Sequence, residues 1–148
     1  MKRMSFKDLY ISDDSLVGGD IYYFDEALTM PFTGVVVDYY KGKLSWECEI
    51  KDGFRHGKER IYYDGTGELQ EENDVENNTI CGIQKEFYKS GKIKSKSIVL
   101  HNMHIDIISY DEDGSITKRY SINKENPPIG YHLDWDKIAE FRKRYSLE

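Results

Sequence analysis

The sequence predicts an all-β protein: an elongated antiparallel meander of β-hairpins that ends in a short helix. The first observation is that related segments begin at Gly34, Gly57, Gly82 and Ile105, at spacings of 23, 25 and 23 residues. The second is that each segment carries an aromatic pair or its remnant, then a glycine-containing turn and an aliphatic residue. Short periods of this kind indicate a repeat architecture. The third is an apolar stripe with helical spacing in the tail.

Each segment is a hairpin by its local chemistry. Gly91 and Gly114 follow short polar residues and can supply the positive φ that a tight turn needs. Strand alternation is clearest in residues 44–51, where every second side chain faces the same way. One face of that strand carries Leu44, Trp46, Cys48 and Ile50, and the other carries Ser45, Glu47, Glu49 and Lys51.

The chain divides into three parts around these segments. Residues 1–33 form N-terminal strands and a lead-in: a strand at Leu9-Tyr10-Ile11, ended by Ser12-Asp13-Asp14, and an edge hairpin over 15–33 through Ile21-Tyr22-Tyr23-Phe24. The hairpin repeats occupy 34–122. Residues 123–148 are a linker followed by the helix.

The tail helix begins at Trp135, with Asp134 as its cap. Its apolar stripe consists of Trp135, Ile138, Phe141 and Tyr145. The stripe either covers the last hairpin or presents its aromatic residues to a partner. Covering is the favoured interpretation, because exposed apolar stripes are rare on soluble monomers.

Composition limits the classes of function. The 148 residues carry a formal net charge of −6, the wrong sign for binding a phosphate backbone, so no nucleic-acid partner is expected. The charge also disfavours anionic membranes, and no apolar segment is long enough to span a bilayer. We expect a cytoplasmic chain, because no apolar signal core follows the N-terminus. Its two cysteines, Cys48 and Cys81, are expected to be reduced thiols near the core.

No constellation of catalytic residues is visible, so we expect neither an enzyme nor a cofactor. His101 and His104 have a spacing that could touch one metal ion, but a structural zinc site usually needs four ligands. His104 occupies the same repeat position as His56, so the favoured interpretation is that both of these imidazoles support a turn. Cys81 could be a thiol nucleophile. Its place beside Gly82 at a hairpin junction favours a packed small residue instead.

Charge is segregated between two neighbouring strands. The acidic residues of segment 64–76 precede a lysine block made of Lys85, Lys89, Lys92, Lys94 and Lys96. A meander pairs these strands, and this leaves two interpretations. Either the acidic and basic residues form cross-strand ion pairs, or the acidic segment faces a partner. For a partner-facing role the candidates are Glu71, Glu72, Asp74, Glu76, Glu47 and Glu49. Alternation places Glu72 and Asp74 on one face and Glu71 on the other.

The segments YYKGKLSWECEIKDGFRHG and GIQKEFYKSGKIKSKS resemble MORN repeats, in the variant found in YwqK-type bacterial antitoxins. The resemblance covers roughly residues 15–120. It implies an antitoxin or immunity protein that occludes the active surface of a cognate toxin domain. The acidic charge of the chain favours a basic, nuclease-like toxin domain. The alternative that the resemblance implies is a MORN-repeat scaffold that organises protein or membrane-associated assemblies.

Overall fold

The computed structural model describes residues 1–14, 18–130 and 132–148; residues 15–17 of the expected edge hairpin lie outside these ranges. The protein is mostly β, with one α-helix in the described residues. Its strands are β1 Arg3–Ser5, β2 Tyr10–Asp14, β3 Gly19–Tyr23, β4 Gly34–Tyr40, β5 Lys43–Lys51, β6 Phe54–Tyr62, β7 Leu69–Glu76, β8 Thr79–Phe87, β9 Ile93–Leu100, β10 Met103–Tyr110 and β11 Ile116–Ser121. A 3-10 turn covers Phe6–Asp8, and the helix α1 covers Trp135–Arg144.

Strands β4 to β11 pair in chain order as an antiparallel meander. This confirms the predicted mostly-β sheet with a helix at its end. The expectation of a wholly antiparallel sheet is wrong at one edge, because β1 pairs in parallel with β4. The N-terminal strand also differs from its prediction, since β2 continues through Ser12-Asp13-Asp14 and pairs with β3 in a separate two-stranded sheet.

Successive hairpins are joined by hydrogen bonds that recur at equivalent positions. At one end of the strands, three turns have positive φ at both central residues, as tight hairpin turns require: Asp52-Gly53, Asn77-Asn78 and His101-Asn102; Lys41-Gly42, at the other end, has the same conformation. The second residue of each of the three turns donates its N–H to a carbonyl of the preceding hairpin: Gly53 to Phe32 at 2.7 Å, Asn78 to Arg55 at 3.0 Å, and Asn102 to Ile80 at 2.9 Å. At the other end of the strands, the hydroxyls of Tyr63 and Tyr88 donate to the carbonyls of Phe87 and Tyr110.

The two faces of the sheet are covered at different places. The β2–β3 hairpin packs over the β4–β6 end of one face, which we call the hairpin face; its core is Leu9, Tyr22, Phe32, Val36, Cys48 and Ile50. Helix α1 packs on the opposite face, which we call the helix face, near β8–β11; its core includes Cys81, Ile98, Leu100, Ile105, Ile122, Ile138 and Phe141. Burial of apolar area at these two places holds the sheet to its covers.

Helix α1 has the predicted start and covers the sheet. Asp134 accepts a hydrogen bond from the backbone N–H of Lys137 at 3.0 Å, which is the expected N-cap. Ile138 and Phe141 are buried, so the apolar stripe packs inward as the favoured interpretation required. Arg142 adds a two-pronged contact to Asp106 on β10, at 2.9 and 3.0 Å.

Both cysteines are free and buried, as expected of thiols near the core. Burial raises the pKa of the Cys48 thiol strongly, and it raises the pKa of the Cys81 thiol as well. Each thiol is therefore held in its protonated, less reactive form.

Candidate functional site

The acidic residues nominated from the sequence are divided between the two faces. On the helix face, Glu47 accepts hydrogen bonds from the Arg3 guanidinium at 2.8 Å and the Tyr62 hydroxyl at 2.7 Å. Arg60 lies between Glu47 and Glu72, with its Nε 2.9 Å from Glu72. Burial acts to raise the pKa of Glu47, but the hydrogen bonds from Tyr62 and Arg3 outweigh it and hold that pKa below its usual range. These carboxylates are already paired within the sheet.

Asp74 and Glu49 have structural roles beside strand irregularities. The Asp74 carboxylate contacts the Lys58 ammonium at 2.5 Å and accepts the backbone N–H of Ile83 at 2.8 Å. Glu49 accepts the backbone N–H of Lys58 in the equivalent place one hairpin earlier. Glu76 is exposed at the end of β7. Glu71 faces the opposite side of the sheet from Glu72 and Asp74, as alternation predicted.

The expected cross-strand charge pairing occurs, but between other residues. Glu72 lies opposite Lys85 in the backbone register, as the meander predicted. Its carboxylate nevertheless pairs with Arg60 on β6 rather than with Lys85. Arginine's planar fork contacts Glu72 and Glu47 together, which a lysine ammonium does less readily.

A buried polar network, which the sequence patterns did not predict, runs across the hairpin face. Its first centre is Glu59, which is 4% exposed. The Glu59 carboxylate accepts the Trp46 indole N–H at 3.1 Å, the Arg55 guanidinium at 2.9 Å and the Asn73 side-chain amide at 3.0 Å. Buried charge of this kind is tolerated only when it is paired and hydrogen-bonded.

The network continues toward β10 through Glu71. One Glu71 oxygen accepts the side-chain amides of Asn73 at 2.9 Å and Gln84 at 2.8 Å. Because the Gln84 nitrogen donates to that carboxylate, its oxygen faces His104 Nε2 at 2.7 Å, so His104 carries a hydrogen on Nε2. The Asn73 side-chain oxygen is buried without a hydrogen-bond partner in the described residues.

The two histidines considered as metal ligands point to separate neighbours. His101 Nδ1 lies 3.0 Å from the Thr79 hydroxyl, within a hairpin turn, whereas His104 belongs to the network. Within residues 1–14, 18–130 and 132–148, no three His, Cys, Asp or Glu side chains are grouped so that they could hold a metal ion.

Beyond the network, the hairpin face of β8–β11 carries a groove of about 370 Å³. Its floor contains Ser95 and Ser97, which are 9% and 2% exposed. Its lining also includes Glu86, Tyr88, His104, Ser109 and Thr117. A smaller polar pocket of about 180 Å³ adjoins it and is lined by Tyr63, Gln70, Glu71, Glu86, Phe87 and Lys94.

The groove lies away from both covers of the sheet. Helix α1 packs near β9 from the helix face, and the N-terminal hairpin contacts β6. Strand β11, at the far edge of the groove, is exposed along its whole length. The groove is therefore open to a partner from the hairpin face.

Comparison with known proteins gives no family. No family model matches the chain, and no curated protein matches it. Its backbone is similar to an S. aureus TarM variant crystallised with fondaparinux, alpha-GlcNAc-glycerol and UDP, at 11% identity and a TM-score of 0.38. It is also similar to a second TarM structure, at 12% identity and a TM-score of 0.37. The matches cover 78% and 77% of this chain but only 20% and 19% of the TarM chains. With TM-scores this low, the similarity assigns neither a family nor a function to this chain.

In the described part of the chain, no helix has both the length and the apolar character needed to cross a bilayer.

Proposed function

We propose that this chain is a MORN-like antitoxin or immunity protein, which binds a cognate toxin domain and blocks its active surface. The motifs that resemble MORN repeats support the proposal. The hydrogen bonds that recur at the turns of successive hairpins support a repeat reading of the same segments. Repeats of this kind present broad, open surfaces, which suit a protein partner.

The observation that carries the proposal is the open hairpin face of β7–β11. It holds polar side chains that are already buried and oriented before any partner arrives, among them Asn73 and Gln84. A preorganised surface loses little conformational entropy when it binds, so more of its interaction energy is available as affinity.

In this proposal the antitoxin acts by occlusion and contributes no chemistry of its own. The net charge of −6 would attract a basic, nuclease-like domain and speed its association. The acidic residues of the helix face are occupied by Arg3, Arg60 and Lys58, so the hairpin face is the contact surface that we assign.

The test is a growth-rescue experiment with the product of the gene that neighbours this one. We expect that product to arrest bacterial growth and the present chain to relieve the arrest by forming a stable complex. A Thr117→Trp substitution should abolish rescue, because Thr117 lines the groove at its exposed edge. Ser121→Trp is the matched control on the same strand, since Ser121 pairs with Asp106 and faces the helix side.

Rescue that survives Thr117→Trp but not Ser121→Trp would move the contact to the helix face and contradict the assignment. A chain that neither binds the neighbouring product nor relieves its toxicity would contradict the antitoxin function itself. Melting temperatures of both variants establish that each is folded at the growth temperature.

A further inference from the structure

Two carboxylates of like charge face each other on the hairpin face. Glu71 on β7 lies directly opposite Glu86 on β8. Side chains in that relation have Cβ atoms roughly 4.5–5.5 Å apart, and like charges there destabilise a sheet. On the helix face, by contrast, Glu47 and Glu72 are matched to Arg60. Among the described residues, no arginine or lysine forms an ion pair with Glu71 or Glu86, so no cation offsets their repulsion in that way.

The pair is held in a defined arrangement. The amides of Asn73 and Gln84 fix one oxygen of Glu71, and both amide side chains are buried. Glu86 forms no hydrogen bond or ion pair with any described residue, and it lines both the pocket and the groove. One carboxylate is thus preoriented and the other is free to take a ligand.

A second, independent feature of the same place is a set of unused hydroxyls. Ser95 lies directly opposite Glu86 on β9, and Ser97 lies two residues further along. Both serines are more than nine-tenths buried and line the groove, and neither hydroxyl hydrogen-bonds to another residue in the described ranges. The residues are buried but their hydroxyl oxygens are accessible from the groove, so a ligand seated there can hydrogen-bond to them.

We propose that Glu71 and Glu86 form a receptor for an arginine side chain of the partner protein. A guanidinium offers five N–H donors in a planar fork, which matches paired carboxylates better than an ammonium does. Tyr63 and Phe87 also line this pocket. The serine hydroxyls accept the remaining donors.

Lys94 is the nearby cation that competes with such a ligand. It lines both cavities, and its ammonium lies 5.9 Å from the centre of the Tyr88 ring, with no described carboxylate within ion-pair distance. It therefore leaves the carboxylate pair unneutralised. The identity of the occupant as part of a toxin rests on the proposed function, whereas recognition of the arginine side chain does not.

The experiment needs no toxin, so its failure can be told apart from failure of the antitoxin proposal. The full chain is titrated with Nα-acetyl-arginine methylamide, and backbone amide shifts are followed by NMR. Saturable shifts are expected at Glu71, Glu86, Ser95 and Ser97. The citrulline analogue, which has nearly the same shape but no charge, should bind about tenfold more weakly, since hydrogen bonds to charged groups are the stronger ones.

Three single variants test which charged side chains contribute to arginine binding. Glu86→Gln should weaken arginine binding about tenfold while the melting temperature stays level or rises, because it relieves the like-charge opposition. Glu72→Gln, on the helix face, should leave binding unchanged. Lys94→Gln should strengthen binding by removing the competing cation. Equal binding of the citrulline analogue, or undiminished arginine binding by Glu86→Gln, would overturn the proposal.

Discussion

The indole N–H of Trp46 donates to the buried carboxylate of Glu59 at 3.1 Å, across neighbouring strands of the sheet. Trp46 also packs against Tyr22 of the N-terminal hairpin, with ring centres 6.4 Å apart. One side chain therefore joins the cover of the sheet to the polar network that leads toward the groove.

Replacing Trp46 tests both contacts. Trp46→Ala should lower the free energy of unfolding by about 3–5 kcal/mol, the range for truncating a large aromatic in a core. Trp46→Phe keeps most of the packing and loses the hydrogen bond to a charged acceptor, which should cost about 1.5 kcal/mol. Urea denaturation of the two variants measures the difference. A Trp46→Phe variant that is as stable as the wild type would mean that the bond to Glu59 contributes nothing.

Adding a side chain at Gly82 should destabilise the protein. The φ of +131° at Gly82 is strained for other residues, and a Cβ there would lie 2.7 Å from the Asp74 carboxylate. Gly82→Ala should therefore destabilise the protein by about 1–3 kcal/mol. Gly114 also has positive φ, +87°, but has open space around it, so Gly114→Ala isolates the backbone cost. If the two variants have the same melting temperature, the contact with Asp74 contributes nothing to stability.

Stability should fall at alkaline pH through Tyr62 and Tyr22. Burial, followed by the hydrogen bond to Glu47, raises the pKa of Tyr62 from 10.0 to about 12. Burial, followed by the charge of Asp20, raises the pKa of Tyr22 to about 12 as well. Because each tyrosine has a higher pKa in the folded state than in the unfolded state, its contribution to folding stability is complete below pH 10 and is lost as the pH rises toward 12.

The measurement is denaturation at a series of alkaline pH values, with tyrosinate absorbance followed in parallel. Tyr62→Phe should show a shallower decline in stability over that window and one fewer late-titrating tyrosine. A Tyr62→Phe variant with the same pH profile as the wild type would show that the Glu47 hydrogen bond does not hold this proton.

Much of the sheet could be predicted because its order follows from local signals. Turn glycines and alternating apolar residues define each hairpin, and consecutive hairpins pair with their neighbours. Strand β1 could not be predicted in this way. Arg3-Met4-Ser5 is too short to show alternation, and its parallel pairing with β4 depends on a contact distant in sequence.

The candidate site was predicted only in part. Glu71 was among the nominated residues, but Glu86 and the network were not. Glu59, Asn73 and Gln84 each resemble ordinary surface residues when read singly. They become buried only because the pairing of β6, β7 and β8 places them side by side. The surplus of acidic residues in segment 64–76 was visible, but the arginine that neutralises Glu72 could be identified only from side-chain geometry.

The most direct test of the account compares two double variants that change the charge equally on opposite faces. Glu71→Gln with Glu86→Gln removes two negative charges from the hairpin face, and Glu72→Gln with Asp74→Asn removes two from the helix face. The measurement is the affinity of each for the cognate toxin of the proposed function, with melting temperatures as the check on folding. We predict that the hairpin-face variant loses at least about tenfold in affinity, as expected when charged hydrogen bonds are removed from a contact, while the helix-face variant changes little. Equal losses, or a larger loss for the helix-face variant, would contradict the account.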